Sequence, residues 1–160
     1  MLHRLLGSKL PSNVEKLVAP NILVIDELKG HEDVDPRRLK GLIERIASDR
    51  VLRRPIAADK ITHVILDGHH RLEALMAMNC RRVPVVLLDY LSPEIHVVSW
   101  KTGEEIRKDI VLEAALTGRK LAPRTTKHMV QHGGKLWHIS VLERRIDIAL
   151  EELRERLLVR

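Results

Sequence analysis

Five consecutive residues, Asp67-Gly68-His69-His70-Arg71, put a carboxylate, a glycine, two imidazoles and a guanidinium where an apolar strand pattern gives way to helical spacing. Thr62 to Leu66 is apolar and β-branched, while Leu72, Leu75 and Met76 recur one helical turn apart. Backbone N–H groups at a helix start have no intrahelical partner and carry the positive end of the helix dipole, so they attract anions, and a glycine lets phosphate oxygens approach closely. Two further polar clusters, His31-Glu32-Asp33 and Arg124-Thr125-Thr126-Lys127-His128, fall in loop-like stretches. Taken singly, each fits a capped helix or a solvated turn, with Asp33 or Asp35 capping and the threonines serving local backbone bonds. Together they supply the parts of a phosphoryl-transfer site: a phosphate cradle, a carboxylate for a divalent ion, a base for the acceptor's proton, and positive charge. In that reading Glu32 is the base and Asp67 holds Mg2+, which favours carboxylate and phosphate oxygens. Gly68, His69, His70 and Arg71 bind the phosphates, and Thr125, Thr126, Lys127 and His128 hold a small polar acceptor. Zinc is disfavoured, because adjacent His69 and His70 diverge on a helix and no Cys or His pair has metal spacing.

The elements that must position these clusters follow from the pattern. Asn21 to Ile25 reads as a strand and Leu28 to Asp33 as a loop. A helix should start at Asp35 (N-cap) and Pro36, with Leu39, Leu42, Ile43 and Ile46 on one face. Ile56 to Ala58 should pair with Thr62 to Leu66 as a hairpin. Val83 to Leu88 and His96 to Trp100 read as strands, with Pro84 marking an edge or residues outside the ladder. Glu104 to Thr117 has helical spacing and ends before Gly118, and Leu121 to His128 reads as a polar loop. Ser140 with Glu143 three residues on forms a capping box for a long helix through Leu157. Its apolar stripe would serve equally for packing on the domain or for homo-oligomer formation.

These 160 residues, 44% of them hydrophobic, suit one compact domain over residues 21–160, preceded by an arm or peripheral hairpin over residues 1–20. No apolar run is long enough to span a bilayer and the N-terminus lacks a secretory pattern, which points to a cytoplasmic protein without a membrane partner. The single cysteine, Cys80, is expected to be structural. A net charge of +6 suits polyanions generally, and phosphorylated metabolites satisfy it as well as nucleic acid does. Two Trp, one Tyr and no Phe leave little for base stacking. A charged fraction of 31% resembles the composition of thermophile proteins.

At these residues the chain resembles the free L-serine kinases of the ParB/sulfiredoxin-like superfamily. The resemblance rests on Asp67-Gly68-His69-His70-Arg71, the strand Val83 to Leu88 with Asp89-Tyr90, Trp100, the upstream His31-Glu32 pair and the downstream Ala122-Pro123-Arg124-Thr125-Thr126-Lys127-His128 loop. It implies an α/β (α+β) fold, a small mixed sheet with packed helices in a single compact domain. It also implies transfer of a phosphoryl group from ADP or ATP, with Mg2+, to the hydroxyl of free L-serine, giving O-phospho-L-serine. The catalytic set would be Glu32 as general base with Asp67 and His70. Asp67 would bind metal, and Gly68 to Arg71 the nucleotide phosphates. His31, Trp100, Arg124, Thr125, Thr126, Lys127 and His128 would line the serine pocket. The sequence departs from the family at Lys127, where an arginine is usual, and in having only Glu104 to Thr117 where larger members carry an insertion.

The competing reading is a ParB-like regulatory module that binds a nucleotide or nucleic acid without turnover. It is weakened by the lack of two short helices with a tight turn after Trp100, which a helix-turn-helix reader requires. Sulfiredoxin chemistry would need a cysteine in the turn where His69 stands.

Overall fold

The computed structural model describes residues 20–155, so the expected arm lies, but for Pro20, outside the described residues. A four-stranded sheet forms its middle layer, in the order β1 (Asn21–Val24), β5 (Arg82–Leu88), β3 (Ile56–Asp59), β4 (Ile65–Asp67). β5 runs antiparallel to β1 and parallel to β3, and β3 and β4 form the expected antiparallel hairpin. Alternate residues of these strands enter two different cores. Ile56, Ala58, Ile65, Val83 and Val85 face α1 (Pro36–Asp49), α2 (His69–Ala77) and the short α4 (Leu150–Arg154). Ala57, Leu66, Val86 and Leu88 face the opposite way, toward a second sheet and α3 (Lys108–Thr117). Burial on both faces is why Val83 to Leu88 reads as a continuous apolar run instead of an alternating one. The second sheet is an antiparallel meander of β6 (Ile95–Ser99), β7 (Thr126–His132) and β8 (Lys135–His138). This mixed α/β architecture in one compact unit is the fold class that the sequence implied.

α1 begins as expected: Asp35 accepts a hydrogen bond from Arg37 N at 2.9 Å, and Pro36 occupies the first turn. Pro84 sits in a central strand, not at an edge; the other alternative holds on the β3 side, where the parallel ladder starts only at Val85, so the missing N–H costs no bond there. Three other expectations are corrected. The helix expected from Glu104 begins at Lys108, because Glu104 and Ile106 exchange backbone bonds with Ser99 and Val97 of β6 instead.

The loop expected through His128 gives way to a strand at Thr126, paired with β6 from Thr126↔Ser99 onward. Its turn into β8 is Gly133-Gly134, with φ of 60° and 75°, the positive pair that a two-residue hairpin demands.

The long helix from Ser140 does not form. A 3-10 turn covers Ile139–Leu142, capped by the His138 ring, which accepts from Ser140 N. The Glu143 side chain is drawn into a buried ion pair with Arg71 instead of closing a capping box. The chain then returns to pair β9 (Ile148–Ala149) with β2 (Val51–Leu52), and only Leu150–Arg154 is helical among the described residues. Tertiary pairing outweighs local propensity here. Cys80 is buried and burial raises its pKa, as suits a structural thiol. Among the described residues no helix is long and apolar enough to cross a membrane.

Gly68 makes the strand-to-helix turn possible. Its φ of 112° is one that side chains rarely adopt, and a Cβ there would lie 2.8 Å from Ile56 Cγ1. Gly68→Ala is therefore expected to cost about 2–4 kcal/mol, the sum of backbone strain and overpacking. Equilibrium urea unfolding checks this; a loss below 0.5 kcal/mol, on the order of an ordinary surface change, would contradict it.

Candidate active site

One cleft of about 420 Å3 gathers residues from all three clusters. Its floor is the β4–α2 turn, from Leu66 to Arg71; Glu32 and Asp33 come from the loop after β1, and Trp100, Arg124, Thr126 and His128 from the meander side. The two outer clusters are locked together by backbone bonds. Leu121 N donates to His31 O and Asp33 N to Leu121 O, both at 2.8 Å. This short parallel bridge brings Glu32 over the start of β7.

Glu32 is held in place by the start of β7. Its Oε1 accepts from Thr126 N at 2.7 Å and from Thr126 Oγ1 at 2.6 Å. Backbone N–H groups of Arg124 and Thr125 also face the carboxylate, and Arg124 has the positive φ of 57° that turns successive N–H groups toward one point. Burial nonetheless pushes the Glu32 pKa above the ordinary glutamate value, against the pull of these bonds.

His31 is completely buried, and its Nε2 lies 3.0 Å from Thr126 Oγ1. The same hydroxyl lies 2.6 Å from Glu32 Oε1, so it links the His31 ring to the carboxylate. Burial and Lys120 hold the His31 pKa at about 4, so the ring is neutral. It is not among the residues that line the cleft and stands behind three that are, Thr126, His69 and His128. Thr125 and Lys127 also fall outside the cleft lining. Thr125 Oγ1 donates to Ala122 O within its own turn, and Lys127 Nζ lies 4.6 Å from the Trp100 ring centroid.

His69 and His70 act as clips. His69 Nε2 accepts from His31 N, and His70 Nε2 accepts from Asp35 N, each at 3.0 Å. Pointing to opposite partners from neighbouring helical positions, they tie the Glu32 loop and the start of α1 to α2. Arg71 is likewise committed, donating to Pro55 O, to Asp67 Oδ2 at 3.0 Å and to Glu143 Oε1 at 2.8 Å. Burial alone would raise the Asp67 pKa, but Glu143 and the Arg71 guanidinium outweigh it and hold the carboxyl below the ordinary aspartate range. Burial drives Glu143 the other way, well above the usual carboxylate range.

Sequence reasoning missed Arg38, Tyr90, His138 and Glu143. Arg38, on α1, lines the cleft, and no described residue accepts a hydrogen bond from its guanidinium. Its position two residues after Pro36 carried no pattern to single it out. Tyr90 OH lies 3.0 Å from His128 Nε2, both nearly without solvent contact. His128 itself was named from its cluster; what the loop reading hid was the strand alternation Thr126, His128, Val130 that points it inward, toward Tyr90.

Burial keeps His31 at about 4 and His128 at about 3, against 6.5 for an ordinary histidine. A folded pKa below the unfolded one makes a stability contribution that is present above pH 6.5 and lost as pH falls toward 4 and 3. At about 1.4 kcal/mol per unit, each amounts to a few kcal/mol. The loss of stability between pH 7 and 4.5 is expected to be smaller in His128→Gln than in the wild type, measured by urea unfolding; equal losses would contradict the burial account.

No protein-family model matches the chain. The chain is 34% identical over 116 residues to an ATP-dependent L-serine kinase of Staphylothermus marinus, spanning 63% of this chain and 46% of the relative. It is 31% identical over 80 residues to an ADP-dependent L-serine kinase of Thermococcus kodakarensis, spanning 48% and 33%. A solved free serine kinase variant in complex with AMP superposes with a TM-score of 0.72 at 17% identity, over 84% of this chain and 94% of that one. The chain is thus similar in sequence to L-serine kinases over part of its length and shares the fold of a solved free serine kinase. It spans less than half the length of the curated serine kinases it matches.

Proposed function

We propose that the chain is a nucleotide-dependent kinase that phosphorylates the hydroxyl of free L-serine. The observation that carries this is Glu32: a carboxylate at the cleft wall, clamped by the Arg124 to Thr126 turn, with its pKa raised toward the working range of a base. A primary hydroxyl is a poor nucleophile at neutral pH, so a fixed carboxylate that takes its proton is what the transfer requires.

The N–H groups at the start of α2 receive the nucleotide phosphates, with Arg38 and Arg124 supplying positive charge that Arg71, committed to two carboxyl groups, cannot. Trp100 and His128 wall the space left for serine. Among the described residues no three His, Cys, Asp or Glu side chains cluster as a complete metal site. A lone carboxylate is nevertheless the usual protein share of an Mg2+ site completed by phosphates and water, and ionised Asp67 fits it. Bound there, Mg2+ would neutralise charge on the phosphate oxygens. Donor choice is tested with ADP and ATP in parallel.

The test is nucleotide turnover followed by chromatography with and without L-serine. Turnover that depends on L-serine supports the reading; the same nucleotide consumption without serine, or none, sinks it. Because the base must be ionised, kcat/KM is expected to fall as pH drops through the raised Glu32 pKa, placing the acid limb above the ordinary glutamate value. An acid limb at or below that value would contradict the role.

A further inference from the structure

Beneath the cleft floor, one guanidinium serves two carboxyl groups. Arg71 Nη2 lies 3.0 Å from Asp67 Oδ2 and 2.8 Å from Glu143 Oε1, and its Nη1 is held by the Pro55 carbonyl. Exposure falls steeply across the set: the Asp67 side chain is 27% exposed, Arg71 17% and Glu143 1%. Of the two carboxyl-bearing side chains, Asp67 lines the cleft and Glu143 does not. Glu143 comes from the segment after β8, 72 residues from Arg71 in sequence. Its Oε2 is buried with no hydrogen-bond donor on it, and the Asp67 carboxyl is its acidic neighbour.

We infer that Glu143 is a positioning residue for the phosphoryl-transfer site, anchoring the Arg71 guanidinium from behind so that it fixes the Asp67 carboxylate in one orientation at the cleft floor. The inference rests on the kinase reading above. Asp67 is joined to α2 only through the Gly68 turn, and a carboxylate on a short side chain could otherwise rotate away from the cleft. With Nη1 on Pro55 O and Nη2 shared between two acids, the guanidinium has one position. That position requires a group of glutamate length: one oxygen must reach Arg71 while the other end meets Asp67. Gln satisfies this geometry, its carbonyl accepting from Arg71 and its amide donating to Asp67. Asp is one methylene too short to reach both.

The experiment compares wild type, Glu143→Gln, Glu143→Asp and Glu143→Leu. Each is measured for thermal unfolding, for kcat and serine KM, and for calorimetric binding of the donor nucleotide in Mg2+. Positioning predicts that Glu143→Gln stays within about threefold of wild type in kcat and nucleotide Kd. Glu143→Asp and Glu143→Leu should lose tenfold or more in kcat, with serine KM within twofold. A purely structural role would lower Tm and leave both kinetic constants of the folded enzyme unchanged, which would overturn the inference. If Glu143→Leu does not fold, the order of Gln above Asp in kcat decides, and the reverse order overturns it. Inactivity of the wild type would instead count against the kinase reading, and nucleotide binding by the four proteins would then test the Glu143 role alone, equal Kd values overturning it.

Discussion

Glu32→Gln is expected to lower O-phosphoserine formation by about 10²–10⁴-fold, the contribution typical of a positioned general base. Gln keeps the size of the side chain and can still accept from Thr126 N and Oγ1 through its amide oxygen, so the Arg124 to Thr126 turn and the bridge to Leu121 should persist. The change therefore removes the proton acceptor and little else. Nucleotide binding is expected to stay within about threefold by calorimetry, since the phosphate-binding groups on α2 and α1 are untouched. Stability should hold or rise, because burial of an ionised carboxylate is replaced by burial of a neutral amide. A variant that keeps more than a tenth of wild-type activity would show that another group takes the proton.

Asp67→Asn has the second largest expected effect, a fall in kcat of about 10²–10³-fold with a higher Mg2+ concentration needed for half-maximal rate, as loss of several kcal/mol of charge stabilisation implies. It acts in two ways. The anionic oxygen available to a divalent cation is lost, and Arg71 keeps only Glu143 as a carboxyl partner. The second effect argues that Asn should leave the fold intact, since the amide oxygen can still accept from Arg71. A steady-state titration of Mg2+ at saturating nucleotide separates the two. An unchanged half-saturating concentration would remove Asp67 from the metal site.

Much of the central scaffold was legible because its signals are local. Asp35-Pro36 marks a helix start by chemistry that needs nothing from elsewhere, and the β3–β4 hairpin and β5 declare themselves by β-branched runs. The Asp67 to Arg71 turn was legible for the same reason. What failed depended on distant partners. Ser140 and Glu143 satisfy a capping box by spacing, yet Glu143 is claimed by Arg71 from a helix far earlier in the chain. Ile148 and Ala149 look helical until β2 offers them a strand to pair with.

The site shows the same division. The spacing of residue types identified Glu32, Asp67, Thr126 and His128, all of which line the cleft. It could not tell a side chain that faces the cleft from one that holds it in place. His31, His69 and Arg71 carry the chemistry of ligands, but each holds a protein partner instead: Thr126, the His31 backbone, and Asp67 with Glu143. Arg38 was invisible in the opposite sense, an arginine on an amphipathic helix until the fold turns it toward the cleft.

Serine phosphorylation is read directly by 31P NMR of the purified protein with L-serine and Mg2+, supplied in turn with ADP and with ATP, beside the Glu32→Gln variant. A serine kinase with Glu32 as its base gives an O-phospho-L-serine resonance that grows with at least one donor in wild type and is absent over the same time in the variant. No phosphoserine with either donor, or equal amounts from the wild type and Glu32→Gln, would contradict that reading.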